Sequence, residues 1–203
     1  YDVTYYVDSA GNDSAAGSSS APFRTLGKAM ETANTSGLHA RVYVRNGVHV
    51  QDTQVDIDSD NGKNLIVEGQ SREGAIIEGG GSDSVKYQTI YISRKTNLTF
   101  RNLTFRKHRG AAMQVGLWSP ISPVDKVLIE NCTFTNTSTE GPNGSSVKIW
   151  TATNVTVRNS SFSGNGGLGA FLILRNGLVQ NCRFDDNMRN GKPDGDYRGG
   201  LAL

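Results

Sequence analysis

The chain has 203 residues, a formal net charge of +2 and 36% hydrophobic residues, which is enough for one domain with a continuous core. Charges of both signs are mixed along the chain, which argues against a nucleic-acid partner, and no apolar run is long enough to span a membrane. Disorder is disfavoured, because the apolar residues form short β-branched runs separated by glycine and asparagine.

The first predicted element is an amphipathic helix over residues 24–34. Its apolar residues recur at helical spacing, with Pro22 just upstream and Gly37 beyond its end. This apolar stripe consists of Phe23, Leu26, Ala29, Met30 and Ala33. After the helix, β-branched segments predict strands at residues 40–44, 64–69 and 75–79.

An internal repeat occupies the second half of the chain. Four segments share the pattern apolar, any, apolar, any, Asn, any, any, Phe, the last one residue shorter at its start. They span residues 98–105, 127–134, 155–162 and 178–184. Their asparagines are Asn102, Asn131, Asn159 and Asn181, so the steps are 29, 28 and 22 residues. This period is typical of a solenoid coil with variable loops.

Each repeat predicts three strands. The block itself is interpreted as two short strands joined at the asparagine, which tolerates a left-handed backbone conformation. A third strand precedes each block, at residues 89–93, 111–115, 146–150 and 170–174, and residues 199–203 begin another. The sequence therefore predicts an all-β, right-handed parallel β-helix with Asn stacked on Asn and Phe on Phe. An antiparallel β-sandwich has no reason to repeat Asn-x-x-Phe at coil spacing.

The solenoid prediction also concerns the two ends of the chain. An exposed solenoid end needs its core and strand edges covered, so the helix over residues 24–34 is predicted to cap the N-terminal end. Residues 1–203 are expected to form a single domain that is the N-terminal part of a longer solenoid, because the sequence stops inside a predicted strand. The open C-terminal edge could support self-association.

The two cysteines are predicted to remain free thiols. Cys132 and Cys182 both follow the turn asparagine and point inward in one ladder, with the coil of Ser160 between them. Two coils are separated by roughly 9–10 Å. That exceeds the Cα separation of about 7 Å that a disulfide tolerates.

The N-terminal segment resembles a known family. Tyr-Tyr-Val-Asp-Ser-Ala-Gly-Asn-Asp at residues 5–13 and Ala-Pro-Phe-Arg-Thr-Leu-Gly-Lys-Ala at residues 21–29 are similar to the opening of pectate-lyase-like β-helix proteins. The closest resemblance is to polysaccharide lyase family 9. It implies that aspartate-bound calcium neutralises a uronate carboxylate while a lysine removes the C5 proton. This sequence departs from the family in having Arg183 after Asn181-Cys182, and the family's lysine position falls at or beyond Leu203.

Lys148 and Trp150 are the leading candidates for a functional site. Strand alternation predicts that Val147 and Ile149 face the core, which turns Lys148 and Trp150 outward on one strand. An aromatic ring beside a cation is suited to a sugar ring and its carboxylate, and Lys148 is the candidate catalytic residue. The alternative is an ordinary exposed lysine beside an aromatic that covers strand edges.

Other groove candidates lie in loops. Lys107, His108 and Arg109 form a basic cluster suited to an anionic sugar, although a solvated turn explains it as well. Trp118, in the insertion between residues 116 and 125, is a further candidate sugar platform.

Four carboxylates in the last loop are candidate Ca²⁺ ligands. They are Asp185, Asp186, Asp194 and Asp196. Such close carboxylates repel one another unless a cation or arginines compensate. The neighbouring Arg183, Arg189, Lys192 and Arg198 make charge pairing the rival explanation.

These patterns favour a secreted, carbohydrate-active protein. It is predicted to bind an acidic polysaccharide such as pectate and, in full-length form, to cleave it by β-elimination or as a glycoside hydrolase. The alternative is a non-catalytic extracellular structural protein, such as an adhesin, a surface-layer protein or a filament component. The Ser/Thr/Asn-rich, lysine-poor composition is what favours an extracellular location.

Overall fold

The computed structural model describes residues 1–81, 87–117, 124–137, 145–189 and 200–202. In chain order its elements are β1 (Val3–Val7), α1 (Leu26–Thr35), β2 (Ala40–Val44), β3 (Gly47–Gln51), β4 (Val55–Ile57), β5 (Leu65–Gly69), β6 (Ala75–Gly79), β7 (Gln88–Ile92), β8 (Thr96–Arg101), β9 (Thr104–Arg106), β10 (Ala111–Gly116), β11 (Asp125–Glu130), β12 (Thr133–Thr135), β13 (Ser145–Arg158), β14 (Ser161–Ser163), β15 (Leu168–Leu174), β16 (Gly177–Gln180), β17 (Arg183–Asp185) and β18 (Leu201–Ala202). No helix among these described residues is long and apolar enough to cross a membrane.

The strands form three parallel sheets, each receiving one strand per coil. Sheet A has the order β1-β2-β5-β8-β11-β13-β16, and sheet B has the order β3-β6-β9-β12-β14-β17. Sheet C has the order β4-β7-β10-β13-β15-β18. The first part of β13 lies in sheet C and its second part in sheet A. The predicted architecture of three strands per coil is confirmed.

The predicted asparagine turns join sheet A to sheet B. Asn102, Asn131, Asn159 and Asn181 have φ values of 57°, 50°, 53° and 52°. Asn131 Nδ2 donates to Asn102 Oδ1 at 2.8 Å, and Asn181 Nδ2 donates to Asn159 Oδ1 at 3.4 Å. The repeated Asn therefore supplies the left-handed turn in each of these coils and a side-chain bond between coils at two of the three steps.

The predicted phenylalanine column also forms. The ring centroids of Phe105 and Phe134 lie 4.9 Å apart, those of Phe134 and Phe162 5.0 Å, and those of Phe162 and Phe184 4.7 Å. The rings are parallel within 6°. Aromatic stacking thus follows directly from the in-register pairing of sheet B.

Both cysteines are free, as predicted. Cys132 N donates to Ser160 Oγ at 3.1 Å, and Arg183 N donates to Ser160 O at 2.9 Å, which places the Ser160 coil between the two cysteine coils. Burial raises the pKa of the Cys132 thiol to about 12, so this group stays protonated near neutral pH.

The predicted helix is present as α1. Its buried face consists of Leu26, Ala29, Met30, Ala33 and Asn34. It contacts each of β1 to β5. Thr25 is the N-cap, since its Oγ1 accepts from Lys28 N at 3.2 Å. The capping role of this helix stays a prediction.

Three strands of the first coils were not predicted. These are β1, β3 and β4, which precede the regular repeat. Their alternation covers only three to five residues, too few for periodicity to identify without a matching repeat.

Candidate functional site

The outward face of sheet C carries a ladder of large side chains. Lys148 pairs in register with Gln114 on one side and Phe171 on the other, and Gln114 pairs with Tyr91. We call Tyr91, Gln114, Lys148 and Phe171 the sheet C ladder. Adjacent rungs are separated by the strand spacing of about 4.8 Å. The ladder therefore presents one side chain per coil along the solenoid axis.

Alternation within β13 separates the core from this face. Val147 and Ile149 are fully buried, whereas Lys148 and Trp150 are partly exposed. The predicted division into inward and outward residues is confirmed. Both outward side chains are partly exposed, and the Phe171 ring packs against Trp150.

Lys148 has an unusual environment for a lysine. Burial lowers the pKa of its ammonium group, and burial is the sole cause of that shift. Among the described residues, none makes an ion pair or a hydrogen bond with this ammonium group. Its register neighbours, Gln114 and Phe171, carry no charge. The ammonium form can therefore take a carboxylate partner, and the lowered pKa increases the fraction of the amine that is neutral and able to accept a proton.

An aromatic pair adjoins Lys148. The ring centroids of Trp150 and Phe171 lie 4.9 Å apart at an interplanar angle of 55°. Ile173 is the register neighbour of Trp150 and extends the apolar surface. A partly exposed apolar surface beside an amine suits a ligand with an apolar ring face and an anionic group.

The basic loop does not form the predicted cluster. His108 is fully buried, its Nδ1 lies 2.7 Å from Thr89 Oγ1, and burial lowers its pKa to about 4. The prediction that His108 contacts a ligand is therefore wrong, because the ring belongs to the interior. Lys107 is exposed and pairs with Glu78 at 3.4 Å. Arg109 is partly buried in the same loop, directly before β10.

The last loop contains ion pairs at the residues that the structure describes. Asp185 pairs with Arg183 at 2.7 Å, and Asp186 accepts from Arg189 Nε at 2.9 Å. Within the described residues, no group of three or more His, Cys, Asp or Glu side chains could hold a metal ion. Asp194, Asp196 and Trp118 lie outside the described residues. The described carboxylates therefore fit charge pairing and do not by themselves form a calcium site.

Sequence reasoning missed Tyr91, Gln114 and Phe171. The signal was available, since each occupies the position of Lys148 in the aligned third strand of its own coil. Aligning the third strands of successive coils with one another identifies all four residues of the sheet C ladder.

A family model described as a right handed beta helix region matches residues 89–193, just over half of the chain. The chain belongs to the right-handed β-helix family. A search of curated proteins by sequence found no match.

Solved structures to which this chain is similar include a rhamnogalacturonan lyase and two pectin methylesterases. The chain is similar to a rhamnogalacturonan lyase with a TM-score of 0.65 and 14% identity, covering 98% of this chain. This chain spans 61% of the length of that lyase. A pectin methylesterase mutant in complex with a hexasaccharide has a TM-score of 0.47, 16% identity, and coverage of 88% of this chain and 66% of that one. The pectin methylesterase PemA from Erwinia chrysanthemi has a TM-score of 0.44, 14% identity, and coverage of 89% and 66%. At 14% identity, the likeness to the rhamnogalacturonan lyase establishes the fold alone.

Proposed function

We propose that this chain is an extracellular, carbohydrate-active β-helix protein that binds an acidic polysaccharide along the outward face of sheet C. The observation that carries the proposal is the half-buried amine of Lys148, which lacks a described ionic partner and adjoins the Trp150–Phe171 pair. A uronate unit supplies the two groups that such a site takes up. These are a carboxylate for the amine and an apolar ring face for the aromatic surface.

The shape of the sheet C ladder supports a chain-like ligand. Tyr91 and Gln114 continue from Lys148 toward the N-terminal end, one rung per coil. Both present neutral hydrogen-bonding groups, which suit sugar hydroxyls. A polysaccharide that runs along the solenoid axis contacts several rungs at once, so weak contacts add up.

For cleavage by β-elimination, the neutral form of Lys148 is the proposed base, whereas its ammonium form is the one that pairs with a carboxylate during binding. In that step its neutral Nζ takes the C5 proton, a C4–C5 double bond forms, and the C4–O bond breaks as the leaving sugar oxygen gains a proton. The lowered pKa of Lys148 favours the neutral amine that this step requires. The resemblance to polysaccharide lyase family 9 supports β-elimination as the proposed reaction, whereas Lys148 is proposed as the base on its own environment, because the family's lysine position falls at or beyond Leu203.

Binding of oligogalacturonate tests the proposal. Lys148→Ala is expected to weaken the affinity about tenfold, the loss of roughly one charged hydrogen bond. Added salt should weaken binding to the parent chain, because it screens the charge pair. Isothermal titration calorimetry with a hexagalacturonate measures both effects.

Lys28→Ala is the matched control. Lys28 is an exposed lysine on α1, an element that contributes no residue to the sheet C ladder. Its replacement by alanine should leave the affinity unchanged. Equal affinities for Lys148→Ala and Lys28→Ala, or no binding by the parent at millimolar ligand, would remove the proposal. A structural role as a rigid extracellular spacer would then be the better explanation.

A further inference from the structure

The first strand of sheet B has an open edge. In β3, Gly47 N donates to Gly74 O at 2.8 Å and Gln51 O accepts from Gly80 N at 2.9 Å, so these residues bond on the side of β6. Because backbone groups alternate along a strand, Val48 and Val50 direct their N–H and C=O groups away from β6. Among the described residues, no backbone hydrogen bond reaches them on that side.

The first strands of sheets A and C, in contrast to β3, are covered by other parts of the chain. The corresponding edge of β1 is paired, since Tyr6 N donates to Gly17 O at 2.8 Å and Phe23 N donates to Tyr6 O at 2.9 Å. The first strand of sheet C, β4, contacts α1. Helix α1 contacts β3 at Gln51, the last residue of that strand, whose Oε1 accepts from Gly27 N at 3.1 Å. The middle of β3 thus combines free backbone groups with side chains that are 40% exposed at Val48 and 49% exposed at Val50.

This edge lies in a cleft of about 370 Å³. The cleft is lined by Ser9, Asp13, Arg24, Thr25, Val48, His49, Val50, Gln51, Asp52 and Thr53. One wall comes from the segment before α1, where Asp13 accepts from Thr25 N at 2.9 Å. A recessed edge admits a single extended strand, whereas two copies of the chain would need flat edges to pair.

The lining indicates the chemistry of the occupant. The cleft is lined by two carboxylates, Asp13 and Asp52, and one guanidinium, Arg24, so the excess negative charge favours a basic side chain over an acidic one, even though Asp13 already accepts from the Arg24 and Thr25 amides. His49 is buried, and its Nδ1 has no hydrogen-bond partner among the described residues. Exposed valines and free backbone groups at alternate positions are the features by which a sheet edge binds a peptide.

We propose that the β3 edge binds an extended peptide segment with alternating β-branched residues and a basic residue, as an added strand of sheet B. The site is separate from the sheet C ladder and does not depend on saccharide binding. The peptide main chain pairs with Val48 and Val50, and its apolar side chains cover the exposed face of those valines.

N-methylated peptides test this pairing without altering the protein. The probe is a fluorescein-labelled Lys-Thr-Val-Thr-Val-Thr peptide, measured by fluorescence anisotropy. Only one edge of the bound strand points its N–H groups at β3, so methylation of that alternating set of amides should weaken binding about tenfold. Methylation of the other set should leave it unchanged. Equal binding of the two methylated peptides, or no binding of the parent peptide at millimolar protein, overturns the proposal.

Two variants at Val50 locate the site. Val50→Pro removes the N–H that points away from β6 and spares the ladder bonds to β6, so it should weaken peptide binding about tenfold. Val50→Thr keeps both the N–H and the β-branched shape and should bind as the parent does. Equal peptide affinities for the two variants would overturn the assignment. Analytical ultracentrifugation tests the other occupant: a concentration-dependent dimer that Val50→Pro dissociates would show that a second copy of the chain occupies the edge, and would also overturn the proposal.

Discussion

A column of polar side chains runs through the corner between sheets B and C. His108, Thr137, Asn165 and Asn187 hold equivalent positions after successive strands of sheet B. Thr137 N donates to Asn165 Oδ1 at 3.1 Å, and Asn165 Nδ2 donates to Asn187 Oδ1 at 2.8 Å. The side chains of Asn165 and Asn187 also donate to the backbone carbonyls of Phe134 and Phe162 at 3.1 Å and 2.9 Å, whereas Thr137 Oγ1 has no hydrogen-bond partner among the described residues. At the scale of single residues, therefore, His108 has a structural role.

His108 is expected to make stability depend on pH. Between about 4 and 6.5 it is neutral in the folded chain, where burial lowers its pKa to about 4, and protonated in the unfolded chain. In this pH window the unfolded state binds more protons than the folded state. The free energy of unfolding therefore decreases as the pH falls from about 6.5 to about 4, by up to about 3 kcal/mol. His108→Asn, which copies the residue type of later coils, should reduce that slope. Urea unfolding at pH 4.5 and pH 7 measures it, and an unchanged slope in His108→Asn would contradict the assignment.

Helix α1 is tied to the first coils at both of its ends. At its start, Asp13 accepts from Thr25 Oγ1 at 2.8 Å. At its end, Asn61 Nδ2 donates to Asn34 O at 2.6 Å while Asn61 Oδ1 accepts from Lys95 Nζ at 2.7 Å. Burial lowers the pKa of Lys95, whose ammonium also lies 3.5 Å from Asp60. At the scale of elements, these bonds tie the helix to the segment before it and to the loops that follow β4 and β7.

Met30→Ala is expected to show whether the helix caps the solenoid. Met30 is fully buried against the first strands, so its truncation should cost about 2–5 kcal/mol. Amides of β1, β2 and β4 should lose hydrogen-exchange protection before those of β12 and β14. Lys28→Ala, on the exposed face of the same helix, should change neither. Uniform loss of protection in all strands would contradict a local capping role.

At the scale of the whole molecule, the stacking of coils arranges equivalent side chains of all three sheets in columns with the same spacing. The asparagine turns, the phenylalanine column and the sheet C ladder all advance by one coil per rung. The same in-register stacking that builds the core therefore repeats surface groups along the axis. A ligand with a regular repeat is the kind that such a surface recognises.

Calcium binding by the four aspartates of the last loop remains a prediction. If Asp185, Asp186, Asp194 and Asp196 bind Ca²⁺ in the folded state only, millimolar calcium should raise the melting temperature. The double variant Asp194→Asn, Asp196→Asn should abolish the increment. Differential scanning calorimetry with calcium and with magnesium measures the effect. An unchanged melting temperature would favour the charge pairing that Asp185 and Asp186 already make.

The sequence by itself determined the repeating unit. Asn102, Asn131, Asn159 and Asn181 recur because only a few residue types adopt a left-handed turn, and the phenylalanines recur because strand alternation points them inward. The free cysteines followed from the same register. Local backbone preference and alternation are properties of short segments, so a single sequence contains them.

Only the tertiary structure decided which side chains meet across coils. It buried His108 against Thr89, brought the rings of Trp150 and Phe171 into contact, and left the edge of β3 open. These contacts join residues from different coils, and loops of variable length separate those residues in the sequence. Burial and pairing depend on how the coils stack, which no local pattern encodes.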